Sequence, residues 1–201
     1  MKKMKKIKTI IVTAVFLLAG LTTFAQGGGM MNFQYDMGFG LGNTKDFVDA
    51  PSFRGFSLEG RGFITEHLTL GGRWGWQTFY KNLGEVTRTQ GTYTITGYNK
   101  RYINAMPLMA TVHYYFTTSK IYSYIGLGIG TYYLNIRDQM GIYYVPNNTW
   151  RFGLSPDVGV VIPIGHSVGA TANFRYNYAA KTKDKPVESW IGIGVGLTYT
   201  F

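Results

Sequence analysis

The feature that most constrains this chain is a period-two alternation of large apolar and small or polar residues, repeated in eight segments. It is cleanest at the end of the chain, where Ile191, Ile193, Val195, Leu197, Tyr199 and Phe201 oppose Gly192, Gly194, Gly196, Thr198 and Thr200. In 167–178, Val168, Ala170, Ala172, Phe174, Tyr176 and Tyr178 alternate with Gly169, Thr171, Asn173, Arg175 and Asn177. Segments 68–80 and 150–163 behave likewise, and 32–42, 53–63, 101–116 and 121–135 show the pattern more weakly. Strict alternation is the signature of a strand with two unlike faces. No segment after residue 26 has the period of an amphipathic helix.

The connections carry a second signal. They run 10, 4, 20, 4, 14, 3 and 9 residues, long and short in turn. A membrane barrel with both termini on one side has short turns at that side and long loops at the other. Each segment supplies the roughly 9–11 residues a tilted spanning strand needs. The expected fold is therefore all-β: a closed antiparallel eight-stranded transmembrane β-barrel over residues 26–201. Only 15% of residues are charged and 16% are aromatic, whereas a water-soluble domain carries about a quarter charged.

The first 25 residues read as a signal peptide with a helical apolar core. Lys2, Lys3, Lys5, Lys6 and Lys8 form a basic start, Ile10 to Leu21 is almost wholly apolar, and Thr23 and Ala25 are small. Cleavage is expected between Ala25 and Gln26. The formal charge of +10 owes half its value to this leader, and no basic cluster lies on a recognition helix, so no nucleic-acid partner is expected. With no cysteine, disulfides, thiolate metal sites and a lipid-modified cysteine are excluded.

In a narrow barrel the aromatic face meets lipid and the small, polar face turns inward. Asp36, Glu59, Arg61, Arg73, His113, Asp157 and Arg175 fall on the inner face. Three carboxylates and three arginines can neutralise one another there, whereas an unpartnered buried charge is costly. Tyr80, Tyr114, Tyr115, Phe116, Tyr122, Tyr132, Tyr133, Trp150, Trp190 and Phe201 lie near strand ends and read as interfacial girdles.

The chain resembles the small outer-membrane β-barrel domain proteins of the OmpA/OmpX-like and OmpW-like group over roughly residues 27–201. The resemblance is carried by Ala105-Met106-Pro107-Leu108, by Tyr124-Ile125-Gly126-Leu127-Gly128-Ile129-Gly130 and by the terminal Gly196-Leu197-Thr198-Tyr199-Thr200-Phe201. It implies the outer membrane of a Gram-negative envelope as the location. It also implies insertion by the barrel-assembly machinery, with Gly196, Tyr199 and Phe201 as the signal. The polar residue usual near Gly194 is missing, and no peptidoglycan-binding domain is expected after the last strand.

Other candidate chemistry reads as structure. The Gly126, Gly128, Gly130 run continues into a strand, not the helix a phosphate loop requires. His67, His113 and His166 are too dispersed for a metal site. Asp46, Asp49, Asp138, Asp184 and Glu188 lie near the outer rim without a histidine beside them, so no enzyme and no cofactor are expected. Rim cations Lys45, Lys81, Arg88, Lys100, Arg101, Arg137, Arg151, Lys181, Lys183 and Lys185 suit outer-membrane lipid and the phosphates of lipopolysaccharide. Loop tyrosines Tyr93, Tyr98, Tyr143 and Tyr144 suit solvent or sugar. Two functions stand: a monomeric structural or interaction barrel plugged by its own side chains, or a small pore for ions or small solutes.

Overall fold

The computed structural model describes residues 28–90, 93–116, 120–141, 143–182 and 185–201. The leader, its Ala25–Gln26 junction, Lys183 and Asp184 lie outside the described residues.

Eight strands close into one antiparallel barrel in chain order: β1 (Gly29–Leu41), β2 (Gly55–Phe63), β3 (Leu68–Gln90), β4 (Tyr93–Tyr115), β5 (Tyr122–Met140), β6 (Tyr143–Pro163), β7 (Val168–Ala179) and β8 (Glu188–Thr200). The seam pairs β1 with β8 from Met30↔Thr200 to Leu41↔Ser189. Closure satisfies every edge, which a sheet in lipid requires. The wall obeys the alternation. Phe33, Phe174 and Leu197 are 57%, 47% and 56% exposed, and these positions form a belt facing outward, while their neighbours point into the lumen.

The strands differ from the sequence reading in length. The 20-residue and 14-residue connections are largely paired strand, since β3 and β4 stay in register out to Gln90↔Tyr93 and β5 and β6 out to Met140↔Tyr143. The alternation is interrupted at Gly84, whose φ is 74°. The register shifts there, between Asn82 and Gly84, and Asn82 Oδ1 accepts the Gly84 N–H at 3.0 Å. This bulge inverts the phase of the pattern, which ends a simple period-two reading near Tyr80. β-branched Val86, Thr87, Thr94 and Thr96 then continue the hairpin. The β2 partner of β3 stops at Gly55↔Gln77 and the β7 partner of β6 at Gly153↔Ala179. β3, β4, β5 and β6 therefore project past the rim as a four-stranded sheet.

The first loop also holds a one-turn helix, α1 (Asn43–Phe47), where no helix was expected. It is too short to show a periodic pattern.

Candidate functional site: the filled lumen

The inner face is filled in three layers. In the middle layer, Arg61 Nη2 donates to Glu59 Oε2 at 3.0 Å. His113 Nε2 lies 3.4 Å from Glu59 Oε1 and 3.5 Å from Asp157 Oδ1. Arg175 reaches Asp36, Glu59 and Asp157 at 3.8, 3.8 and 3.7 Å. All seven inner-face residues named from the sequence are buried here, Glu59 at 2% exposure. Arg73 differs from its fellow arginines. Among the described residues it has no carboxylate within ion-pair distance, and its Nη2 donates instead to Ser155 Oγ at 2.7 Å. Amides extend the layer: Asn173 Nδ2 donates to Gln34 Oε1 at 2.8 Å, and Thr198 Oγ1 to Asn32 Oδ1 at 2.5 Å.

Toward the short-turn end, Tyr115 and Tyr124 form a floor with ring centroids 5.4 Å apart. Both hydroxyls accept from Arg61, at 2.8 and 3.2 Å, and the Arg61 guanidinium lies 4.4 Å above the Tyr124 ring. Met30 and Val161 complete the cluster. Toward the long-loop end, Phe79, Ile103, Tyr132, Leu134 and Trp190 form an apolar ceiling. Trp190 meets Tyr132 at 5.0 Å and Phe79 at 6.0 Å, and Tyr132 donates to Asn177 Oδ1 at 2.8 Å.

α1 and Val48 sit on that ceiling as a lid. Thr44 Oγ1 donates to Glu188 Oε2 at 2.6 Å and accepts the Ser189 N–H at 3.1 Å. Asn43 donates to the Val187 carbonyl at 2.8 Å. Arg101 lies 4.9 Å over the Phe47 ring, and Lys81 Nζ donates to Asp49 Oδ2 at 2.6 Å. That bond holds the Asp49 carboxyl below its ordinary range.

Several assignments change. Tyr115, Tyr132 and Trp190, read as girdle residues, are buried inside the barrel. Their parity with His113, Gly130 and Gly192 already placed them inward. Arg151, counted at the rim, is 2% exposed and donates to the Pro186 carbonyl at 2.5 Å. It shares the inward phase of Gly153, Ser155 and Asp157. Tyr124, quoted above only within the motif that carries the resemblance, and Phe79 are lumen residues that parity marks, and the lid has no counterpart in the sequence reading. Of the terminal residues, Tyr199 and Phe201 lie on the outer wall with rings 6.3 Å apart. Phe201 exchanges backbone hydrogen bonds with Gly29 at 2.8 and 3.0 Å. Gly196 lies opposite Gln34 in the seam.

The glycines facing the lumen make room for these side chains. A Cβ on Gly126 would collide with the His113 ring and an Asp157 oxygen, and one on Gly194 would meet Asn173 Oδ1 at 2.7 Å and Asp36 Oδ1 at 2.8 Å. The space beside Arg73 and Arg175 is about 20 Å³, room for one water. Among the described residues, no group of three or more His, Cys, Asp and Glu could hold a metal ion.

No protein-family model matches the chain, and no curated protein matches it. Solved structures do. The crystal structure of Ail, the attachment invasion locus protein of Yersinia pestis, in complex with the heparin analogue sucrose octasulfate, is similar at a TM-score of 0.58 with 13% identity, over 87% of this chain and 99% of that one. Neisserial surface protein A is similar at a TM-score of 0.57 with 18% identity, over 87% of this chain and 97% of that one. The chain thus has the fold of the small eight-stranded outer-membrane β-barrels.

Proposed function

We propose that this protein is an outer-membrane barrel whose lumen is a structural plug and whose working surface is its exterior. The observation that carries this reading is the way the inward glycines are used. Gly126 and Gly194 could have lined a water-filled passage, but the space they leave is taken by His113, Asp157, Asn173 and Asp36. The aromatic floor, the charge cluster and the apolar ceiling stack in series, so an ion would have to displace all three.

The reading is non-catalytic. Three of the carboxylates at the loop end serve the lid and the hairpins: Asp49 is held by Lys81, Asp138 by Asn99 at 2.7 Å and Glu188 by Thr44. What the barrel presents outward is the projecting sheet. From Thr78 to Gln90, β3 runs about 40 Å along the strand at roughly 3.3 Å per residue. A surface so extended suits contact with lipid headgroups or another macromolecule. The terminal Gly196, Tyr199 and Phe201 are assigned to recognition during barrel assembly.

Single-channel recording on refolded protein in a planar bilayer tests the plug. The expected trace is silent. Steady, reproducible conductance steps from a homogeneous folded sample would replace the plug with the pore.

A further inference from the structure

The outward wall of β3–β6 changes character row by row as it leaves the apolar belt. Trp74 pairs across strands with Leu108, and one step outward Met106 pairs with Tyr133, which pairs with Trp150. Trp74, Tyr133 and Trp150 wall a cleft of about 240 Å³ over Met106, Pro107 and Leu108. Pro107, at the base of the cleft, lies at a break in the sheet. The β3–β4 ladder is unbroken up to Trp74↔Leu108 and resumes at Gln77↔Ala105, and the gap includes Pro107, which has no N–H to donate.

The next row is polar. Thr78, Asn104, Asn135 and Asn148 are successive cross-strand partners. Trp76 Nε1 donates to Thr78 Oγ1 at 2.8 Å, which donates to Asn104 Oδ1 at 2.8 Å. Cations follow. The Arg54 guanidinium lies 5.7 Å over the Tyr80 ring, and Tyr80 packs on Tyr102 at 4.8 Å. Arg137 is the cross-strand partner of Tyr102 and donates from Nε to Asn135 Oδ1 at 2.7 Å. Lys100 stands one row farther out, between Asn82 and Gln139. Glu85, the carboxylate on this face of β3–β6, lies beyond Lys100, opposite Tyr98.

We propose that this wall binds one phosphorylated glycolipid of the surrounding leaflet. An acyl chain lies in the Pro107 cleft, sugar hydroxyl and amide groups meet the Thr78–Asn148 row, and phosphates meet Arg54, Arg137 and Lys100. The site rests on the outer-membrane reading above. The order of the rows identifies the ligand. Rows on one face are roughly 7 Å apart, so apolar, amide and cationic zones succeed one another over the depth of a sugar headgroup. A zwitterionic phospholipid supplies no sugar for the amides and little net charge for the cations. A soluble sugar phosphate supplies no chain for the cleft.

The test uses the purified protein refolded in phosphatidylcholine nanodiscs doped with lipid A, with dephosphorylated lipid A or with phosphatidylglycerol, and counts retained lipid by native mass spectrometry. One lipid A should be retained in preference to the other two. Changing Arg54, Lys100 and Arg137 to Ser should weaken retention on the order of fivefold per cation. Asn104→Ala with Asn135→Ala should narrow the preference over phosphatidylglycerol, and Trp150→Ala should lower retention of lipid A with or without phosphates. Equal retention of phosphorylated and dephosphorylated lipid, or wild-type retention by the triple Ser variant, would overturn the site. So would equally tight binding of glucosamine phosphate without acyl chains. If no heat-resistant barrel forms in phosphatidylcholine alone, the outer-membrane reading itself fails. A folded barrel with no lipid preference fails the site only.

Discussion

Glu59 and Arg61, two residues apart on β2, meet at 3.0 Å with both side chains buried. A strand places residues i and i+2 on the same face, so this ion pair forms without help from another strand. His113 and Arg175 then reach Glu59 from two other strands. Removing the carboxylate leaves Arg61 and Arg175 short of charge in a closed space. Glu59→Ala should cost about 3–5 kcal/mol of stability, read from urea unfolding in lipid vesicles. A loss near zero would mean that water screens the cluster, contrary to a plugged lumen.

Gly126 provides a second probe of the same layer. Its missing side chain is the space that the His113 ring and Asp157 occupy. Gly126→Val should displace both and destabilise the barrel by roughly 1–3 kcal/mol, the usual penalty of overpacking. Unfolding midpoints equal to wild type would show that the inner wall has slack the structure does not display.

The belt and the projecting sheet should tolerate charge differently. Phe174 lies mid-strand on β7 between Val158 and Ile193, facing lipid. Phe174→Arg should cost roughly 2–4 kcal/mol if that site lies near the midplane. Tyr98 is 63% exposed on the outer part of β4, so Tyr98→Arg should change stability little. Equal costs at the two positions would misplace the membrane boundary.

The lid should loosen in acid. Lys81 holds the Asp49 carboxyl below its ordinary range, so this group binds its proton more weakly in the docked state than in the free chain. Its contribution is complete above the ordinary carboxylate range and is lost as pH falls through the lowered value. Protection factors for hydrogen exchange across residues 43–50, which remove the intrinsic slowing of amide exchange in acid, should therefore be high near neutrality and fall in acid. Asp49→Asn should flatten this dependence. Protection that is independent of pH in the unmodified protein would remove the ion pair from lid docking.

Most of the wall is readable from alternation alone, because a closed barrel makes every strand two-faced and leaves no other rule to compete. Residue type misleads where it conflicts with phase. Trp190 and Tyr132 look like interfacial aromatics, but each is an even number of positions from an inward glycine and serves as ceiling. Arg151 looks like a rim cation for the same reason. The length of the β3–β4 hairpin was hidden by a different cause, since the Gly84 bulge reverses which residues face in. The lid was not legible at all. It depends on Thr44 meeting Glu188, 144 positions away, and no local pattern encodes that meeting. Nor does any single segment disclose the graded outer wall, because its rows run across strands and emerge only once the register is fixed.

The seam has a consequence for how the molecule is made. Seven of the eight strand pairings join neighbours in sequence and can zip from a nearby turn. The eighth joins Met30 of the first strand to Thr200 of the last, and must wait for everything between. Entropy of loop closure and the slowness of distant contacts both put it last. Until then β1 and β8 each carry a row of unanswered amides and carbonyls, a template for strand exchange between chains. The vulnerable moment in the life of this barrel is thus the interval before its two ends meet, and a helper that shields β8 until β1 arrives would decide the yield.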